Sequence, residues 1–236
     1  MRNKRTWTTA LGLAALVAAA VQLEPREVTA ADHGDSPMAA ANAAADIADF
    51  YAWETSRGTV AAVITFAAGI APGGDPLYDD SILYTIHIDN TADPAEVPFW
   101  QDNGNDNASD IQILVRFGQN NVGDWGVQLV DVPGSDDVMV GPVGEDIVSG
   151  AATAVAGMYD DPFFFDGDGF NATIAALIDP TEAADVMFSG LGGDAVDTFA
   201  GTNTMAIVVE FDAAIAAGAK DNTYIQMWAT TGQVAR

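Results

Sequence analysis

Apolar and polar positions alternate with a period of two through several short stretches of this chain. That spacing puts one side of a β-strand against a core. Between Ser81 and Ile88, the residues Ile82, Tyr84, Ile86 and Ile88 share one face, and Leu83, Thr85 and His87 share the other. Ile111, Ile113, Val115 and Phe117 repeat the pattern. Residues 59–66 form a β-branched run. Residues 205–211 are almost continuously apolar, which predicts a central strand covered on both faces. Residues 126–132, 138–143 and 224–229 give weaker strand signals, the last setting Ile225 and Met227 opposite Gln226 and Trp228. Helical signals are fewer. Asn171 can cap a helix that buries Ile174, Leu177 and Ile178, and Thr181 can cap another through Phe188. Asp212 opens a short alanine-rich segment ended by Gly218. Loops rich in Gly, Asp, Asn and Pro separate these elements. The pattern predicts a mainly β fold: an antiparallel β-sandwich or barrel-like domain with short helical insertions.

The first thirty residues follow a different pattern. Arg2, Lys4 and Arg5 precede an apolar run from Ala10 to Leu23, and Val28, Thr29 and Ala30 supply the small residues a signal peptidase reads. We expect residues 1–30 to be a signal peptide cut near Ala30, with 31–236 forming a single secreted or periplasmic domain. The run is shorter than the ~20 residues of a spanning helix, and no second run of that length follows. No integral membrane segment is therefore expected after cleavage.

Composition narrows the chemistry. Half of the chain, 49%, is hydrophobic, so it is not a disordered acidic polymer despite a net charge of −26. Removing residues 1–30 takes away four bases and two acids and leaves −28. A phosphate backbone would be repelled by such a surface, so nucleic acid is excluded as a partner. The absence of cysteine excludes disulfides, thiolate metal sites and thiol nucleophiles. Asp supplies 27 of the 34 acids. Acids that only decorated helices would favour Glu, whereas Asp favours turns, caps and oxygen-rich cation loops. Most of these aspartates are expected to form a solvated surface. The rest make a divalent cation, Ca²⁺ first, the expected partner.

Three clusters concentrate the candidates. The first is Asp32-His33-Gly34-Asp35-Ser36-Pro37, followed by Asp46 and Asp49, which would share a face on a helical turn. The second runs from Tyr159 to Phe170, where Asp160, Asp161, Asp166 and Asp168 bracket Phe163, Phe164 and Phe165. Carboxylates so close repel one another unless a cation or hydrogen-bond donors intervene. Asp166-Gly167-Asp168-Gly169 has the alternate-oxygen spacing of a calcium loop. The third cluster places Asp102, Asp106 and Asp110 at the first, fifth and ninth positions of an EF-hand-like count, but Gly104 replaces a ligand and no Glu closes the loop. The expected metal ligands are drawn from His33, Asp35, Asp46, Asp49, Asp160, Asp161 and Asp166. Calcium prefers oxygen, so His33 would then sit behind the ligands rather than among them. No nucleophile elbow, phosphate loop or dinucleotide fingerprint is present. The alternative is a hydrolase whose site is His33 with Asp35, Asp46 and Asp161, His33 acting as general base oriented by a carboxylate around a metal-bound water.

The same clusters carry a resemblance. Residues 32–37 with 45–53, 83–90, 156–166, 197–207 and 228–230 match, in order, the motifs of the bacterial family catalogued as domain of unknown function 4331. The Asp160-Asp161-Pro162-Phe163-Phe164-Phe165-Asp166 block is the most specific of them. The resemblance spans nearly all of the chain after residue 30. It implies an exported single domain and no particular reaction. A protein or glycan partner is not identified by any of these features.

Overall fold

A computed structural model describes residues 40–90, 109–178, 195–218 and 224–234. The strands are β1 (Ile47–Glu54), β2 (Thr59–Ile70), β3 (Ile82–Asp89), β4 (Ile111–Gln119), β5 (Trp125–Val130), β6 (Met139–Pro142), β7 (Ile147–Ser149), β8 (Ala152–Asp160), β9 (Asn203–Asp212) and β10 (Gln226–Gln233). They form two five-stranded antiparallel sheets, ordered β1-β2-β9-β8-β7 and β10-β3-β4-β5-β6. This is a β-sandwich.

The core follows from the alternation. Val60, Ala62, Ile64 and Phe66 of β2 and Met205, Ile207, Val209 and Phe211 of β9 face inward from the first sheet. Ile82, Tyr84, Ile86 and Ile88 of β3 meet them with Ile113, Val115 and Phe117 of β4. Phe66 sits at the centre, its ring 4.7 Å from Tyr84 and 5.8 Å from Phe117. One 3₁₀ turn, Ala43–Ala45, ties the start of β1 to the other sheet. The Tyr84 hydroxyl donates to the Ala44 carbonyl, and Thr231 Oγ1 donates to the Ala45 carbonyl at 2.7 Å.

Helix α1 (Gly167–Ile178) begins four residues before the Asn171 cap that the sequence predicts. The reason is Asp166, whose Oδ1 accepts the Gly169 N–H at 3.0 Å. The Asp166–Gly169 stretch is thus a capped first turn of helix. Helix α2 (Ala213–Ala217) is as expected. Asp212 accepts the Ile215 N–H at 2.8 Å, and Gly218 ends the helix at φ 76°, where glycine is least strained. The helix expected from Thr181 lies outside the described residues.

Three strands escape the alternation rule. β1 carries a register shift between Ile47 and Asp49, which breaks its period. β7 has only three residues. β8 is built on Ala152, Ala154 and Ala156, which have weak strand propensity but face the core and are buried in it, with β9 paired alongside. The expectation that Asp46 and Asp49 share a helical face is corrected here. Asp46 closes the 3₁₀ turn, and Asp49 lies in β1.

Candidate functional site

Folding brings two of the three aspartate clusters to one end of the first sheet. Asp46 precedes β1 and Asp49 lies near its start, while Asp160 ends β8 and Asp161 follows it, β8 running antiparallel to β9. In the order β1-β2-β9-β8 these strands are three steps apart, or roughly 14 Å between backbones at ~4.8 Å per step. A calcium shell has oxygen bonds of about 2.3–2.6 Å, so its ligands must converge closely on one ion. Among the described residues, no group of three or more His, Asp or Glu side chains is arranged to hold a metal. His33 and Asp35 lie outside the described residues, as do Asp102 and Asp106.

Several of these carboxylates bind the backbone. Asp161 accepts the Phe163 N–H at 3.0 Å, and Asp166 caps α1. Asp197, at the head of the 197–207 motif, accepts both Phe165 N–H at 3.3 Å and Phe199 N–H at 3.0 Å. These bonds fold the triple-aromatic block back on itself. Phe163 packs 6.0 Å from Phe165 and 5.7 Å from Phe199, and Phe165 lies 5.4 Å from Phe170. Phe164 alone of the three points outward, 59% exposed.

The outer face of the first sheet holds the more complete site. Inward residues alternate with outward ones, so β1 presents Asp49, Tyr51 and Trp53, paired with Thr65, Val63 and Ala61 of β2. β9 continues those rows with Ala206, Val208 and Glu210, and β8 with Gly157, Val155 and Thr153. The floor is therefore small and mostly hydrocarbon. Tyr51 and Trp53 rise on one side. On the other, the Tyr159 ring lies over Gly157, about where a Cβ there would touch it at 3.4 Å. The result is an open groove of about 490 Å³. That volume falls within the range of small-molecule sites.

The two ends of the groove differ in charge. At one end Arg57 Nη2 meets Glu210 Oε2 at 2.5 Å, and Thr59 also donates to Glu210. The Thr59 bond, then the Arg57 guanidinium, hold the Glu210 carboxyl below its usual range. At the other end stand Asp49, Asp160 and Asp161. Arg57 and Arg116 are the bases among the described residues, and Arg116 is on the second sheet. Burial, then the charge of Asp49 and the hydrogen bond donated to it, then Asp161, push the Tyr51 hydroxyl up to about 12. The potential at this end is negative.

Repulsion of this kind extends over the whole molecule, and it sets a measurable expectation. The Debye length falls from ~30 Å at 0.01 M to ~3 Å at 1 M salt. Over that range of NaCl the melting midpoint should rise, by about 2–4 °C for each 1 kcal/mol of repulsion relieved. A scanning-calorimetry midpoint that fell or stayed flat would show that the acids are already neutralised by the fold.

His87, the second histidine, sits on the outer face of the second sheet. Its ring stacks on Trp228 at 4.9 Å with the planes 4° apart. Nε2 lies 2.8 Å from Thr230 Oγ1 and Nδ1 lies 3.1 Å from Ser109 Oγ, which also accepts from Gln112 Nε2 at 3.0 Å. Burial lowers its pKa, so the ring is neutral near pH 7. The alternation in β3 places His87 on this face, but only the β10 partner strand reveals the stacking. A cleft of about 790 Å³ opens between the edge strands β1 and β10, lined by Val60 of the core and by the partly buried Phe50 and Met227. No helix among the described residues is long and apolar enough to cross a membrane.

No family model, curated protein or solved structure matches the chain.

Proposed function

We propose that this chain is an exported acidic β-sandwich that works by binding, with its ligand held on the outer face of the first sheet and a cationic partner favoured by its charge. The observation that carries this reading is the groove between Tyr51, Trp53 and Tyr159. Its walls are aromatic, its floor is flat and apolar, and carboxylates gather at one end. Exposed aromatic rings over a rigid sheet supply contact area at little entropic cost. Amide chemical shifts of the full-length chain test it, recorded against a panel of small probes. Perturbations should cluster on residues 51, 63, 155, 159 and 206. A panel that moves only amides elsewhere sinks the reading.

Calcium is the inorganic form of the same proposal. It is supported by the sequence: the excess of Asp over Glu, and the oxygens spaced along residues 102–110. If calcium binds the folded chain alone, its removal lowers stability by about 2.7 kcal/mol for an ion held at a hundred times its dissociation constant. Melting in CaCl₂ against melting in excess EDTA should then differ by several degrees. Equal midpoints end the calcium reading without touching the groove.

A further inference from the structure

Two of the four sheet edges are blunted: β6 has four residues and ends in Pro142, and β7 has three. β1 and β10 have eight residues each, and the cleft of about 790 Å³ opens between them, away from the outer-face groove. The two edges meet at one end, where Thr231 Oγ1 donates to the Ala45 carbonyl, and stand apart around Glu54 and Ile225. The register fixes which backbone groups line the opening. Thr55 N–H donates to the Thr59 carbonyl, in step with the Glu54–Val60 pairing, so Thr55 and Thr59 are a hydrogen-bonded pair. The direction alternates along a strand. Tyr51 and Trp53 therefore also turn their amide groups to β2, and Phe50, Ala52 and Glu54 turn theirs to the open edge. On β10, Val234 N–H donates to the Ser81 carbonyl in step with the pairing to β3, and by the same rule Met227 faces outward. Phe50, Ala52, Glu54 and Met227 all line the cleft.

A hydrocarbon cleft with a rim of amide donors and acceptors suits one kind of occupant. An acyl chain would fill the volume and cover the rim without giving it hydrogen bonds. An extended peptide satisfies the rim with its backbone and the cleft with alternate side chains. Charge selects among peptides. Asp49 and Glu54 flank the open stretch of β1, and the whole chain carries −26. A second copy would bring the same charge, which opposes self-pairing. We propose that the β1 edge takes a strand from another polypeptide: an extended segment, antiparallel like every pairing in this fold, with basic residues flanking alternate apolar ones. The apolar side chains enter the cleft against Val60, Ile225 and Met227.

Amide hydrogen exchange of the full-length chain at low salt is the measurement, with the end-blocked heptapeptide KVTVTVK as probe. In the free chain, the Phe50, Ala52 and Glu54 amides should exchange at least about tenfold faster than those of Tyr51 and Trp53. Saturating peptide should slow the first set by about tenfold or more and change the second set little. In an antiparallel ladder the residues that face the cleft are those whose N–H groups reach β1. KVTVTVK methylated on its three valine nitrogens should therefore bind at least about tenfold more weakly. The acidic analogue EVTVTVE should lose about as much, through repulsion. Ala52→Lys, at an exposed position on the rim, puts a positive charge in the path of the peptide and should weaken KVTVTVK by about tenfold or more. Val148→Lys on β7, at the far edge of the same sheet, should leave binding unchanged.

Slow exchange at all five amides before peptide is added would show the rim already covered, and would overturn the inference. Equally tight binding of the valine-methylated peptide would also overturn it, because such binding owes nothing to a ladder. Equal binding of EVTVTVE would remove the basic partner. If the free chain dimerises in high salt and protects the same three amides, the occupant is a second copy and the proposed partner is wrong. If millimolar KVTVTVK leaves those amides unchanged, the inference falls, and the amide-shift panel still reports separately on the outer-face groove.

Discussion

Replacing Phe66 by alanine will cost about 3–5 kcal/mol of unfolding free energy, the range for deleting a large aromatic from a core that cannot collapse around the gap. Phe66 of the first sheet is 0% exposed and its ring neighbours come from the facing sheet: Tyr84 of β3 at 4.7 Å and Phe117 of β4 at 5.8 Å. Tyr78 continues the cluster, 4.9 Å from Phe117 and 5.5 Å from Trp125. A void at Phe66 therefore removes contacts across the sandwich interface, where no backbone ladder can compensate. Urea titration is the measurement, with Phe164→Ala as comparison. Phe164 belongs to the most aromatic stretch of the chain, yet it is 59% exposed, and its loss should fall within about 0.5 kcal/mol. A larger loss at Phe164 than at Phe66 would place the core elsewhere.

The second large effect is alkaline unfolding. Burial, then the charge of Asp79, hold the Tyr84 hydroxyl far above its ordinary value, and Tyr51 titrates at about 12. In the unfolded chain both titrate near 10. Above that pH the folded state holds more protons than the unfolded one, so stability must fall as pH rises. The contribution of these two groups is fully present below pH 10 and is lost from there upward, through about 12 for Tyr51 and beyond 12 for Tyr84. A group that stays protonated in the fold contributes ~1.4 kcal/mol per pH unit, so Tyr84 alone accounts for roughly 2–3 kcal/mol by pH 12. Denaturant midpoints measured between pH 9 and 12, with tyrosinate absorbance followed in parallel, give the slope. Tyr84→Phe should start less stable by about 1–3 kcal/mol, because the Ala44 carbonyl loses its donor. It should also lose stability more slowly above pH 10. An identical slope in the two proteins would mean that Tyr84 ionises freely in the fold.

Sequence reading and tertiary structure divide the explanation unevenly. Period-two alternation is a local property, and it suffices for β3 and β4, where each inward residue is large and aliphatic or aromatic, while the β-branched run marks β2. The nearly continuous apolar run of residues 205–211 matches the place of β9 at the centre of its sheet, and its one charge, Glu210, lies on the open outer face paired with Arg57. Asp212 and Gly218 likewise mark α2 by rules that involve only the nearest turn.

The rest depends on partners distant in sequence. β8 is a strand because β9 pairs with it, not because alanine favours strands. Asp49 and Asp160 reach one end of one sheet only through the order β1-β2-β9-β8. Carboxylates dense in sequence are spent singly on backbone N–H groups near them, as Asp161, Asp166 and Asp197 show. The aromatic groove was not legible at all. Tyr159 stands about a hundred residues from Tyr51 and Trp53, and their shared face exists only once three antiparallel pairings fix which side of each strand points outward. A sequence by itself determines which residues can line one face of a strand. Which strands lie side by side is decided by long-range hydrogen bonding and core packing, and a binding surface belongs to that second level.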